Sequence, residues 1–192
     1  MESVLLNTPE GISARLGWDP KLDEAARVST LARELVAAHA DVEPKRVRIA
    51  YETPAQFGHR VQLQAFLDGE LLPLTIKRAS FRAATVVGIS DPALPLGFDL
   101  RDAHPDDAAE REMRRHSHLL DGGTIDSLVA HWTRVQAVLE ADGRGVRVHP
   151  EHVRLDTALD KGWVPDRHVH YAIRDISRDA WVITVAYGAL PA

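Results

Sequence analysis

Glu140 and Gln136 stand four residues apart in a stretch with helical periodicity, so both fall on one face of a helix. A carboxyl in that place becomes a general acid or base where its surroundings are dry enough to raise its pKa. Left in water it is an ordinary solvated helix residue. The chain also holds 10 histidines, and two pairs invite a metal reading. His116 and His118 are separated by one residue, but in a helix such positions point apart and do not chelate. His168 and His170 on a strand share a face and have the donor chemistry for zinc, yet no acid or third histidine lies at a useful spacing. Polar strand positions are their plainer role. Arg111, Arg114, Arg115, His116 and His118 form a basic run. It either steers an acidic partner or, with Asp106, Asp107, Glu110 and Glu112 interleaved, is a solvated helix face.

Helices and strands must hold these groups. Asp19 followed by Pro20 gives an N-cap and a proline at the first helical position. Val28, Leu31, Ala32, Leu35 and Val36 continue it as an apolar stripe, which predicts a helix over residues 19–39. A second helix is expected over 124–141. Thr124 is its cap, Ile125, Leu128, Val129, Trp132 and Leu139 its stripe, and Gly143 and Gly145 its stop. Residues 104–120 read as an exposed helix ended by Asp121-Gly122-Gly123. Strands are expected at 47–51, 60–66, 72–76, 83–88, 96–100, 153–156, 169–173 and 181–186. In the second of these, Val61, Leu63 and Ala65 alternate with Gln62 and Gln64, a half-buried pattern.

A faint repeat divides the chain at a period of roughly a hundred residues. Ala40-Asp41, Pro44 and Val47-Arg48-Ile49 recur as Ala141-Asp142, Pro150 and Val153-Arg154-Leu155, and Gly88 has its counterpart in Gly188. The expectation is an α+β fold of two pseudo-symmetric halves, residues 1–100 and 101–192. Each is a long helix packed on a small sheet.

The 192 residues suffice for a sizeable core, and 45% hydrophobic with 27% charged residues is an ordinary globular balance. A net charge of −5 disfavours non-specific binding to nucleic acid or an anionic membrane. With no cysteine there is no disulfide, thiolate nucleophile or cysteine-ligated metal, and the composition fits a reducing cytoplasm. No signal peptide or membrane-spanning run is expected.

The segment Trp132-Thr133-Arg134-Val135-Gln136-Ala137-Val138-Leu139-Glu140-Ala141-Asp142-Gly143-Arg144-Gly145 resembles the signature helix of the 4'-phosphopantetheinyl transferases. These enzymes load carrier proteins from coenzyme A. The family writes that helix Trp-Ser/Thr-x-Lys-Glu-Ala-x-x-Lys-Ala-x-Gly-x-Gly. The frame is kept, but Val135 replaces a Lys, Gln136 the metal-binding Glu and Glu140 the catalytic Lys. Pro95 to Arg101 resembles the family's Gly-Val/Ile-Asp-x-Glu motif, with Asp99 retained and Arg101 in place of the second acid. Residues 74–87 resemble the Ser-x-Ser-His segment without its His, where Arg78 or Ala79 falls. Phe57-Gly58-His59-Arg60 stands at a Tyr-Gly-Lys-Pro turn. Arg33 aligns with a helix Arg that contacts a coenzyme A phosphate in relatives.

The resemblance implies a ligand pocket between the halves and a site made of Asp99, Arg101, Gln136 and Glu140. Arg33, His59 and Arg78 are the remaining cofactor contacts. With the His and the turn Lys gone, coenzyme A binding is expected to be weak or absent. One carboxylate does not hold Mg²⁺ without the substrate's phosphates, so no metal and no cofactor is expected. Arg101 either replaces the metal as a fixed cation or marks a disused site, and it is expected to pair with Asp99, Glu140 or both. The implied function is a transferase-like protein repurposed in a biosynthetic pathway. It would perform metal-independent acid–base chemistry on a small molecule, or on a thioester held by a carrier protein or coenzyme A. The alternatives are an inactive binding partner of acyl or peptidyl carrier proteins, and a divergent transferase that uses Mg²⁺ and coenzyme A.

Overall fold

The computed structural model describes residues 1–52, 62–116, 125–144 and 147–191. It is an α+β protein with two antiparallel sheets and, among the described residues, three α-helices. The chain divides into two compact units, Met1–Ala93 and Leu94–Ala192. A boundary at residue 100 would cut a strand, Leu96–Asp102, that pairs along its whole length with the second sheet. No helix among the described residues is long and apolar enough to cross a membrane.

The first unit contains β1 (Glu2–Leu5), β2 (Ile12–Trp18), α1 (Glu24–His39), β3 (Val47–Tyr51), β4 (Leu63–Leu67), β5 (Glu70–Leu71), β6 (Thr75–Phe81) and β7 (Ala84–Ser90). The strand order is β1-β2-β7-β6-β4-β3, with β5 attached to β4. The expected stripe of α1 forms its core: Val28, Leu31, Ala32, Leu35 and Val36 pack with Val47, Ala65, Ile76, Val87 and Ile89 of the sheet. The helix starts later than Asp19-Pro20 suggests. Asp23 is the cap, and its carboxylate accepts from Ala26 N at 2.7 Å. Asp19 instead closes a local turn by accepting from Lys21 N at 2.9 Å. Arg27, buried in the first turn of α1 just before the apolar stripe, donates to Thr85 Oγ1 and to the carbonyls of Asp19, Leu22 and Arg82. It ties α1 to β7 and to two turns. Val61 and the turn Phe57-Gly58-His59-Arg60 lie outside the described residues.

The second unit contains β8 (Leu96–Asp102), α2 (Asp107–Arg115), α3 (Ile125–Asp142), β9 (Arg154–Leu155), β10 (Lys161–Trp163), β11 (Val169–Asp175) and β12 (Trp181–Pro191), with sheet order β8-β12-β11-β10-β9. The helix expected over 104–120 is shorter. Asp106 caps it by accepting from Ala109 N at 2.9 Å, and it ends at Arg115. Its buried apolar residue is Met113, which packs with Leu128, Val129 and Trp132 of α3, and Ala109 joins them partly buried. α3 stops at Gly143, which takes the left-handed conformation (φ 78°) and donates its N–H to Leu139 O. The expected cap Thr124, the stop Asp121-Gly122-Gly123, Gly145 and His118 lie outside the described residues.

α3 lies across β8 and β12, and the seam is set by a glycine. A Cβ on Gly97 would fall 2.3 Å from both Ala137 O and Ala141 N and 2.7 Å from Glu140 Cβ. Only glycine admits a helix backbone that close to a strand. Period-two alternation then puts Gly97, Asp99 and Arg101 on the helix-facing side of β8, while Leu96, Phe98 and Leu100 are each 1% exposed on the other side. On the neighbouring strand Thr184 is the direct partner of Asp99. The Thr184 hydroxyl donates to Thr133 Oγ1 on α3 at 2.9 Å, and Thr133 donates to Ala130 O at 3.0 Å. The hydroxyl chain pins the helix over the pair of strands that carry the candidate site.

Candidate functional site

Asp99 is the centre of this face. Its carboxylate receives two hydrogen bonds from the Arg101 guanidinium, Nε to Oδ2 at 3.0 Å and Nη2 to Oδ1 at 3.3 Å. Two positions apart on one strand face is the spacing at which a long side chain folds back over a short one. The side chains are 13% exposed for Asp99 and 27% for Arg101. Burial under α3 pushes the Asp99 carboxyl up to about 7. The Arg101 charge and hydrogen bonds pull in the opposite direction, as does a backbone hydrogen bond at Leu100, and the Glu140 charge adds to the rise. The guanidinium therefore offsets only part of the desolvation.

Glu140 reaches this neighbourhood because its Cβ sits over Gly97, two residues before Asp99. Gln136 lies one turn earlier on the same ridge of α3, half-buried. Of the four residues singled out from the sequence, the structure thus pairs Asp99 with Arg101 and brings Glu140 into electrostatic range. Gln136 follows on the adjoining helical turn. A carboxyl poised near neutrality beside a fixed cation can give or take a proton at physiological pH.

The residues aligned with coenzyme A contacts are placed differently. Arg33 points outward from α1, with Ser29 Oγ 3.5 Å away. Arg78, on β6, forms an ion pair with Glu24 in the first turn of α1. Arg33 lies nine positions after Glu24, about two and a half turns, so the two point to opposite sides of α1. His59 lies outside the described residues.

Two clefts of the second unit are lined by other groups. One, of about 660 Å³, has His131, Glu151, His152 and Asp156 in its wall. The other, of about 490 Å³, is cationic, with Arg144, Arg147, Arg154 and His152. Arg144 is occupied there by Asp166 and by Asp142, which is also 3.3 Å from Arg167. Asp142 has a side-chain exposure of 1% and is held by two arginines, a structural knot at the end of α3.

Sequence reasoning passed over a cluster formed by His116, His149 and Glu151. The expected helix over 104–120 places His116 in its interior, whereas the helix ends one residue before it. His149-Pro150-Glu151 was a local signal, a histidine and an acid flanking a proline that opens a single 3-10 turn, Pro150–His152. Of the two histidines expected to share a strand face, His168 lies in the bend before β11 and only His170 is on the strand. His170 stacks on Trp163, its cross-strand partner, with ring centroids 4.6 Å apart.

The chain matches no protein-family model, and no curated protein matches it significantly.

Proposed function

We propose that the chain is a phosphopantetheinyl-transferase-like protein whose second unit has exchanged metal-dependent transfer for acid–base chemistry. Asp99 is the proton-transfer group in this reading. The observation that carries it is the buried Asp99–Arg101 fork, with the Asp99 carboxyl at about 7. A base must lose its proton near the working pH, and this carboxyl does. Arg101 holds Asp99 in one orientation and offers a fixed positive charge where the related enzymes place a divalent ion. Glu140 and Gln136 supply a second titratable group and an amide beside it. The substrate class is a small molecule, or a thioester on a carrier protein or coenzyme A.

Topology supports the pseudo-symmetric side of this reading. The run β2-β7-β6-β4-β3 in the first sheet has the same order as β8-β12-β11-β10-β9 in the second. In each unit the long helix follows the outer strand of that run. A 3-10 turn opening with proline, Pro44–Arg46 or Pro150–His152, then leads to the next strand. The basic side chains Arg111 and Arg115 are exposed on α2, where an acidic carrier protein would find them.

Two assays test the reading together. Carrier-protein loading with Mg²⁺ and coenzyme A is expected to give no product. Turnover of a simple acyl-pantetheine thioester is expected to rise through pH 7 and to be lost in Asp99→Asn. Loading at rates normal for transferases would overturn the reading.

A further inference from the structure

Three side chains that the proposed chemistry does not use converge where α2 ends. His116 is the residue that caps α2 at its C-terminus, and His149 and Glu151 flank Pro150 in the turn before β9. One donor atom from each lies within 4.8 Å of the other two. His116 Nδ1 is 3.5 Å from Glu151 Oε1. It is buried and makes no hydrogen bond among the described residues. A buried ring nitrogen that makes no hydrogen bond costs about 1–3 kcal/mol, so its presence asks for a ligand. The ring cannot easily swing away. Trp132 of α3 lies against it at 5.3 Å between centroids, and the His149 ring is 5.8 Å distant.

We propose that His116, His149 and Glu151 bind one Zn²⁺ ion and leave its fourth coordination position open. The donor set excludes the hard cations and leaves Zn²⁺ or Fe²⁺, between which the spacing decides for the tetrahedral ion. Two imidazoles with a carboxylate suit zinc, whereas Mg²⁺ and Ca²⁺ take shells of oxygen. Geometry agrees. Zinc bonds of about 2.0–2.2 Å in a tetrahedron place neighbouring donors about 3.4 Å apart, and the His116–Glu151 pair is already at 3.5 Å. His149 is solvent-exposed, so its imidazole can rotate to close the remaining edges.

Three protein ligands are the number found where a water or substrate completes the shell, while purely structural zinc sites use four. Glu151 also belongs to the wall of the 660 Å³ cleft, with His131 and Asp156. The open position therefore adjoins a space able to admit a small molecule. This centre is separate from the Asp99 site. Trp132 and Glu140 are eight residues apart on α3, about 12 Å along its axis.

The experiment titrates chelator-stripped protein with ZnCl₂ in a calorimeter at neutral pH, and repeats the titration with Co²⁺ while recording the visible spectrum. One zinc per chain is expected, with cobalt giving the strong bands of a four-coordinate ion. His149→Ala and Glu151→Gln each weaken zinc by at least about tenfold. The double variant His168→Ala with His170→Ala binds as the parent does. Metal-free His149→Ala is expected to melt like the metal-free parent, because the side chain it removes is exposed. The proposal is overturned by the absence of saturable one-to-one binding. Binding that survives both His149→Ala and Glu151→Gln, or that disappears with His168 and His170, overturns it equally.

Discussion

Removing the Asp99 carboxyl should change how stability responds to pH, and by an amount the structure sets. Burial raises this group from 3.8, the ordinary aspartate value, to about 7. Between those two values the folded protein keeps a proton that the unfolded chain has already released. Stability therefore falls as pH rises, by about 1.4 kcal/mol for each pH unit. The favourable contribution is fully present below about pH 4, is lost as the pH climbs through 7, and stays lost above. Three pH units give about 4 kcal/mol. That figure is a ceiling, because the side chain keeps 13% of its surface in water. The measurement is urea unfolding of the parent and of Asp99→Asn at pH values from 4 to 8. The quantity followed is the difference between the two unfolding free energies, in which all other carboxylates cancel. Loss of the Arg101 partner shifts that difference by a constant and leaves its slope alone. A repeat in a Glu140→Gln background should show a smaller fall, since the Glu140 charge contributes to the rise. A difference that stays flat from pH 4 to 7 would refute the reasoning. A difference that increases with pH would refute it more directly, because it would mean that Arg101 outweighs burial and holds Asp99 ionised.

Two further outcomes follow from the packing of α3. Gly97→Ala should destabilise the protein by about 3 kcal/mol or more, at the upper end for overpacking, because the new methyl meets helix backbone at 2.3 Å; urea unfolding that shows a loss under 1 kcal/mol would mean the helix slides aside. Thr184→Val should cost about 1–3 kcal/mol by taking the donor from a buried hydroxyl pair, while the double change with Thr133→Val should cost less than the sum of the single ones, as thermal unfolding of the four proteins would reveal.

Local pattern found the long elements and lost the short or compromised ones. The stripe of α1 was legible because five apolar residues repeat with helical period, and they are the residues that meet the sheet. Its start is not legible locally because two aspartates compete as caps, and only the hydrogen bond from Ala26 N decides for Asp23. β2 alternates cleanly, with Ile12, Ala14 and Leu16 buried and Ser13 exposed. Gly17 masks that pattern, since glycine weakens a strand. Its reason is tertiary: a Cβ there would meet Leu31 Cδ2 at 2.8 Å. β1 and β10 are four and three residues long, at and below the shortest run in which alternation carries information.

The two sites divide along the same physical line. Side chains on one element announce themselves through spacing. Gln136 with Glu140 could be placed on a shared face from sequence alone, whereas the expected strand 96–100 stops short of Arg101, and its pairing with Asp99 followed from the resemblance. What makes Asp99 chemically useful is not a spacing. It is the burial imposed by a helix that Gly97 lets in, with Glu140 carried along at the contact. The histidine cluster is further still from local reach, because His149 lies 33 positions after His116. A rule about neighbours on a helix rejected His116-x-His118 on the premise that the helix continues. The helix ends at Arg115, so the ring of His116 turns to Trp132, His149 and Glu151 instead. Metal ligation needs donors to converge in space, and convergence between a helix end and a distant turn is a property of the folded unit. Histidines at the ends of elements, beside a proline or a cap, are therefore worth testing against one another even when no pair in the sequence has a chelating interval.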